Sequence, residues 1–388
     1  MKIKSIESIV RTAPYIRPHS PPGHPANGVR NCVWLRIVTD EGLVGWGEAY
    51  WGCYAPEATA AALRRFERSL VGKDPLDTET TLADLRFRNR YWAMRGLGAH
   101  CTSAVEAALW DIAGKAKDTP VWQLLGDGRE HPVLLYASAG ESALPPEAIR
   151  DEVGDYVRRG FRAYKIRCGG RLDDRGDRLA VDTERVAAAR EALGPDRMLF
   201  VDVAVPQKSA DWDFDKIVRY MEALSPYNVR FLEEPAMTYD VATYRRLLDL
   251  GMIPTAGGES FTCPEEFEPF FEAGAFGVAQ PDAAVVGGPA SCVEVIRRAG
   301  ECGVPVAVHA WGGGVGLAQN LHAACALDGV LAMEFPLSTH ALTTEPFAPL
   351  HRFKDGYLLP PDRPGLGVEV TDEFLAQYPF QPETERDF

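Results

Sequence analysis

Three acidic residues each close a short apolar or glycine-rich run: Asp202 after Phe200-Val201, Glu233 after Phe231-Leu232, and Glu259 after Gly257-Gly258. One such acid is usually a helix cap or a surface charge. Three at successive strand ends, held together without a cation, would repel one another and cost several kcal/mol. An all-oxygen donor set suits a hard divalent ion, Mg²⁺ first and Mn²⁺ next. Glu234 stands beside Glu233, and spacing alone does not choose between them.

Other candidates for chemistry follow the same rhythm. In Tyr164-Lys165-Ile166-Arg167, Lys165 and Arg167 point to one face of a strand. Lysine can serve as a base when nearby positive charge lowers its pKa; arginine is a poor one because it stays protonated. Asp282 in Gln280-Pro281-Asp282 can orient His309 in Val308-His309-Ala310-Trp311 through the far ring nitrogen. Glu334 ends the last run and could bond a substrate carboxylate or serve as a paired structural acid. Gly312-Gly313-Gly314 could cradle an anion or simply turn the chain.

These residues need elements to position them. From His131 onward, eight short apolar runs alternate with helical spacing: Val133–Ser138, Ala163–Arg167, Leu199–Val203, Val229–Glu233, Pro254–Glu259, Gly277–Asp282, Pro305–His309 and Leu331–Glu334. That alternation predicts a parallel (β/α) barrel. The polar residues Ser138, Lys165, Asp202, Glu233, Glu259, Asp282, His309 and Glu334 follow one another at intervals of 23 to 37 residues, each enough for one helix and its loops. In such a barrel all strand ends open onto one cleft. The preceding section reads as an antiparallel sheet (Ile3–Val10, Cys32–Thr39, Leu43–Glu48, with a turn at Asp40-Glu41-Gly42) followed by helices, the strongest over Ala99–Lys117. The expected division is 1–130, 131–335, and a proline-rich tail 336–388 that packs back on the first domain.

The chain has 388 residues, 46% hydrophobic and 25% charged, with a net charge of -14. That acidity disfavours nucleic acid and anionic membrane as partners. Eight cysteines without a CxxC pair predict buried free thiols in a reducing, cytoplasmic setting. There is no GxGxxG after the first strand, no Walker motif and no GxSxG elbow. Nucleotide binding and serine hydrolysis therefore have no support.

The helix motif Ser103-Ala104-Val105-Glu106-Ala107-Ala108-Leu109-Trp110-Asp111-Ile112-Ala113-Gly114-Lys115, with the strand-end series, resembles the enolase superfamily and its mandelate racemase subgroup. The resemblance covers nearly the whole chain. It implies an α+β capping domain over a modified (β/α)₇β barrel, the fold class being α/β. It implies Asp202, Glu233 and Glu259 as Mg²⁺ ligands, with Glu233 chosen over Glu234. Lys165 matches the first lysine of a Lys-x-Lys motif, His309 and Asp282 a His–Asp dyad, and Glu334 a last-strand glutamate. Ser138 falls near a substrate-contacting position. The segments His19–Arg30 and Trp51–Pro56 stand at the specificity loops, with His24 and Trp311 as substrate contacts.

Two departures stand out. Ala204 replaces the asparagine of Asp-x-Asn, and Arg167 replaces the second lysine. The family chemistry is proton removal next to a carboxylate, giving an enediolate. With Arg167 on one face, the expectation is an acid-sugar dehydratase forming a 2-keto-3-deoxy acid, with Lys165 or His309 as base. A racemase, a lactone cycloisomerase and an inactive binding protein are the alternatives. The expected partner is a small carboxylate, and the expected assembly a homo-oligomer.

Overall fold

A computed structural model of the protein describes residues 1–15, 28–169, 178–203, 212–337 and 339–382. His24 and Ala204 lie outside the described residues. Among those described, no helix is long and apolar enough to cross a membrane.

The capping domain begins with three antiparallel strands, β1 (Ile3–Pro14), β2 (Val29–Thr39) and β3 (Val44–Glu48). The turn after Thr39 forms where Asp-Glu-Gly predicts it, with Gly42 at φ +88°. In β3, alternate residues are Gly45 and Gly47, and they face the helix Gly96–Ala116. A Cβ on Gly47 would sit 1.9 Å from the Ala104 carbonyl, so only glycine permits this approach. The helix in turn is built of small residues and is buried along most of its length. This explains why the sequence repeats glycine in the strand and alanine in the helix.

The barrel strands are β4 (Val133–Ala139), β5 (Ala163–Arg167), β6 (Met198–Asp202), β7 (Val229–Glu233), β8 (Thr255–Gly257), β9 (Val278–Ala279), β10 (Val306–Val308) and β11 (Val330–Pro336). They pair in sequence order, all parallel, and β11 closes on β4 through Met333↔Leu135. All eight predicted runs are strands. The interior floor is one apolar cluster of Leu134, Tyr136, Ala163, Phe200, Phe231, Ala256, Val278, Ala307 and Ala332. Phe200 and Phe231 stack at its centre, 4.2 Å between ring centroids.

Side chains on a strand repeat every second residue. Two residues beyond the floor therefore comes the next inward layer: Ser138, Lys165, Asp202, Glu233, Gln280, His309 and Glu334. The same rule corrects the expectation that each polar residue ends its strand. Lys165 and Glu334 lie inside β5 and β11, while Glu259, Asp282 and His309 lie beyond β8, β9 and β10.

Two buried glutamates of the capping domain cap barrel helices. Glu48 accepts hydrogen bonds from the amides of Gly313 (2.6 Å) and Gly316 (2.9 Å), at the start of the helix Gly314–Ala324. The Gly312–Gly314 run thus cradles an anion, and the anion is the protein's own carboxylate. Glu106 accepts from the Ala290 amide (2.9 Å) at the start of the helix Pro289–Glu301. Helix N-termini present free amides and positive partial charge, so carboxylates fit there. Ser103 accepts from the Gly287 amide, and Asp111 from Trp46 and Leu366. The polar residues of the helix motif therefore join domains.

The tail divides its contacts. Its hairpin, β12 (Phe353–Lys354) and β13 (Tyr357–Leu358), adds antiparallel to β4 of the barrel. The helix Asp372–Gln377 lies on the capping sheet, where Phe374 stacks on Trp34 and Arg36 pairs with Asp372 (2.9 Å). All eight cysteines are free; seven are buried, and Cys302 is exposed, against the expectation of uniform burial. It follows the C-terminal end of the helix Pro289–Glu301, on the barrel's outer surface.

Candidate active site

Lys165 is the centre of the inward layer. Its ammonium lies 2.5 Å from Glu233, 2.9 Å from Glu334 and 3.7 Å from Asp202, above the Tyr136 ring. Only 1% of the residue is exposed. Burial alone would push its pKa down, but the carboxylates of Glu233 and Glu334 hold it well above the ordinary lysine value.

His309 stands across Glu334 from Lys165. Its Nδ1 is 2.7 Å from Asp282 Oδ2, and its Nε2 is 3.5 Å from both Glu259 and Glu334. Asp282 is itself fixed: Oδ1 accepts from Asn320 (2.9 Å) and from the Ala284 amide (2.7 Å). The expected dyad is therefore formed, with Nδ1–H donating to Asp282 and Nε2 turned to the cleft. Burial lowers the imidazole pKa, but the charges of Glu259 and Glu334 and the Asp282 bond raise it to about 10. Glu334 Oε2 also accepts from the Ala310 amide (3.1 Å), tying the strand end of His309 to β11.

Two of the three acids of the expected metal set, Asp202 and Glu233, are neighbours by register, and Glu259 follows β8 from a loop. Asp202 pairs with Glu233 across β6 and β7, and Glu233 with Ala256 on β8. Glu233 occupies the inward strand position. Glu234 follows it in left-handed backbone at φ +44°, a strained conformation for a non-glycine residue. Burial first, then Asp202, Glu259 and Glu334, raise the Glu233 pKa to about 8 against the pull of Lys165. Crowded oxygens of this kind fit a hard divalent cation, which would offset their repulsion. In the side-chain arrangement seen here Glu233 instead accepts from Lys165 and from Gln280 (2.7 Å). Among the described residues no three side chains are gathered as ready ligands.

Arg167 is the outermost inward residue of β5. Its guanidinium lies 4.2 Å from the centroid of the Trp311 ring and 3.6 Å from Asp202. Trp311 is thus brought to the same mouth. Tyr50, just before the segment Trp51–Pro56, comes there too, edge-on to His309 at 6.0 Å, while Trp51 packs on His100 of the capping helix at 5.4 Å and Tyr54 feels the charge of Glu259. Ser138 lies on β4 in register with Lys165, and the positive charges of Lys165 and His309 hold the Glu334 carboxyl low despite its burial.

Sequence reasoning missed three side chains. Gln280 is fully buried against Glu233. The alternation Val278, Gln280 would have found it. Asn320 orients Asp282 from a helix, and nothing in strand spacing signals it. Arg30 reaches the Trp311 carbonyl (2.8 Å) from the capping sheet. Its presence follows from domain packing, which the sequence pattern does not encode.

With this geometry in hand, the likeness to known proteins is informative. Residues 148–374 match the family described as enolase C-terminal domain-like. Residues 8–126 match the N-terminal domain of mandelate racemase / muconate lactonizing enzyme. Arabinonate dehydratase of Saccharolobus solfataricus is 30% identical over 350 residues, spanning 89% of this chain and 90% of that protein. D-galactarolactone cycloisomerase of Agrobacterium fabrum is 30% identical over 359 residues, with coverage of 89% and 90%. The crystal structure of the 3,6-anhydro-D-galactonate cycloisomerase from Zobellia galactanivorans superposes with a TM-score of 0.84 at 27% identity, covering 98% of this chain and 100% of that one. The chain belongs to the enolase superfamily, in its mandelate racemase subgroup.

Proposed function

We propose that the protein is a hydro-lyase that dehydrates an acid sugar (an aldonate, an aldarate or a lactone of one) to a 2-keto-3-deoxy acid. The observation that carries this reading is the placement of Lys165 and His309 about the shared carboxylate of Glu334, at 2.9 and 3.5 Å. Dehydration needs one group to take the proton from C2 and one to give a proton to the hydroxide leaving C3; the enol then tautomerises. Lys165 and His309 are placed to supply that pair once a cation among the carboxylates that now raise their pKa values frees one of them as base, and Asp282 keeps the imidazole in its working tautomer. Arg167 stays protonated and stacks on Trp311, so it binds and neutralises rather than abstracts.

Asp202, Glu233 and Glu259 would hold a divalent cation, Mg²⁺ or Mn²⁺. When bound, it supplies positive charge for the carboxylate oxygens that become more negative as the α-proton leaves. Ser138, Glu334, Trp311 and His24 are proposed as substrate contacts around it.

A cycloisomerase is the second reading, favoured by two relatives that carry that name. The same α-proton is removed, but the ring oxygen of a lactone or anhydro sugar leaves in place of hydroxide. The formula of the substrate is then unchanged.

The test is NMR in ²H₂O of aldonates, aldarates and lactones with enzyme and Mg²⁺. A 2-keto-3-deoxy acid is expected, abolished by chelation and restored by Mg²⁺. Ring opening without water exchange would select the cycloisomerase. Deuterium at C2 with neither change would leave a racemase and overturn the proposal. Glu259→Gln should lose the thermal stabilisation that Mg²⁺ gives the native protein, whatever the substrate.

A further inference from the structure

Arg30 is a feature of the mouth that the proposed chemistry does not use. It sits at the start of β2, and only 6% of it is exposed. Nη2 donates to the Trp311 carbonyl at 2.8 Å, and the guanidinium lies 5.7 Å from the Tyr50 ring centroid. Tyr15, Tyr54, Cys53, Cys32 and His340 also lie near it, none of them a carboxylate. Among the described residues, no carboxylate forms an ion pair with it. Glu48 feels its charge, but the oxygens of Glu48 are committed to the Gly313 and Gly316 amides and the Trp34 indole.

Burying a cation without a counter-ion is expensive. One carbonyl bond and the face of one tyrosine offset only part of that; a cation–π contact contributes about 0.5–2 kcal/mol. A guanidinium has five N–H donors in a planar fork shaped for a carboxylate. The position is as telling as the chemistry. Tyr50 touches Arg30 on one side and His309 on the other, 6.0 Å from the imidazole. Trp311 links Arg30 by its carbonyl to Arg167 by its ring. Arg30 is thus one ring removed from the groups proposed to exchange protons, and on the capping side of them.

We propose that Arg30 binds a second carboxylate, at the far end of the substrate, so that the preferred substrate is a sugar diacid rather than a sugar monoacid. This rests on the acid-sugar reading above, in which the first carboxylate lies at the Asp202, Glu233 and Glu259 end. The alternative role for Arg30 is a tether for the Trp311 loop with no ligand contact. The two roles separate in their dependence on substrate charge.

The experiment uses the full chain with Mg²⁺ and matched aldarate and aldonate pairs of four to six carbons, galactarate with galactonate among them. Binding is measured by calorimetry, without reliance on turnover. In at least one pair the native protein should bind the diacid about 10-fold or more tighter than the monoacid. Arg30→Gln should weaken that diacid about 10- to 100-fold and leave the monoacid within about 3-fold; Arg30→Lys should recover part of the loss. Circular dichroism confirms that the variants fold. If neither folds, the native preference for the diacid decides alone. Equal weakening of both acids, no native preference, or no binding of any diacid would overturn the proposal. Arg30-dependent diacid binding with no keto acid formed would instead remove the dehydration reading and leave this one standing.

Discussion

Asp282 holds Nδ1 of His309 at 2.7 Å, and that bond fixes which ring nitrogen faces the cleft. Three further groups meet the aspartate or the loop around it: Asn320, the Ala284 amide and, through Asn320 again, the Ala283 amide. The dyad is therefore set on a rigid platform made by the strand end and a barrel helix.

Asp282→Asn should lower kcat by roughly 10²-fold or more while KM changes little, because the amide can present a donor to Nδ1 and turn the imidazole to the wrong tautomer. Asn320→Ala should give a smaller fall in kcat, since the aspartate keeps its charge but loses one orienting bond. Steady-state kinetics on the substrate found by NMR reads both. Equal kcat in Asp282→Asn and the native enzyme would exclude His309 as a proton carrier.

The clasp between domains makes a second prediction. Burial raises the Glu106 pKa from 4.5 to about 7 against Arg86 and the Ala290 and Ser291 bonds. The folded state then holds a proton that the unfolded state has released between these pH values, so this contribution to stability is lost as pH rises from 4.5 to 7. Glu106→Ala strands buried donors at Ala290 and Ser291 and should cost about 1–3 kcal/mol by urea unfolding. Glu106→Gln mimics the protonated acid. Its stability relative to the native protein should improve between pH 5 and pH 8, and a flat difference would count against the shift.

The barrel was legible because its signal is repetitive. Eight apolar runs at helix-sized intervals leave few other folds, and their polar ends forecast Lys165, Asp202, Glu233, Glu259, Asp282, His309 and Glu334 around one mouth. What the runs hide is depth. The sequence does not say that β8 stops at Gly257, so that Glu259 arrives from a loop. Nor does it reveal Glu48, Glu106 and Arg30, whose partners across the domain boundary are 184 to 281 residues away and depend on how the two domains dock. A buried acid looks the same in sequence whether it meets a metal, a lysine or a helix end.

Acid should loosen the fold through a third set of contacts. His322 accepts the Trp122 amide at Nδ1 (3.0 Å) and donates from Nε2 to the Leu366 carbonyl (3.1 Å), joining a barrel helix to the segments before and after the barrel. Burial lowers its pKa from 6.5 to about 4. The unfolded state therefore binds the proton first, and stability present above pH 6.5 is lost as pH falls towards 4. The limiting slope is about 1.4 kcal/mol per pH unit for one such histidine. His322→Gln should flatten the fall measured by urea titration between pH 6.5 and 4. An unchanged slope would mean that the imidazole does not titrate with unfolding.

Arg167 carries the last prediction. It stands two residues beyond Lys165 on the same inward face, against Trp311 and near Asp202. A guanidinium there cannot exchange a proton at neutral pH, so Lys165 is the one titratable amine that β5 offers. Arg167→Lys places a second amine at that site and shortens the reach to the Trp311 ring. Dehydration should weaken, chiefly in KM, because a planar fork and its stacking contact are lost. At the same time a second amine on β5 opens a new route for proton exchange at C2. Deuterium should then enter the unreacted substrate in ²H₂O, with some epimer formed, where the native enzyme shows none. If Arg167→Lys dehydrates normally and exchanges nothing, the arginine neither anchors the substrate nor keeps proton exchange out of the native reaction.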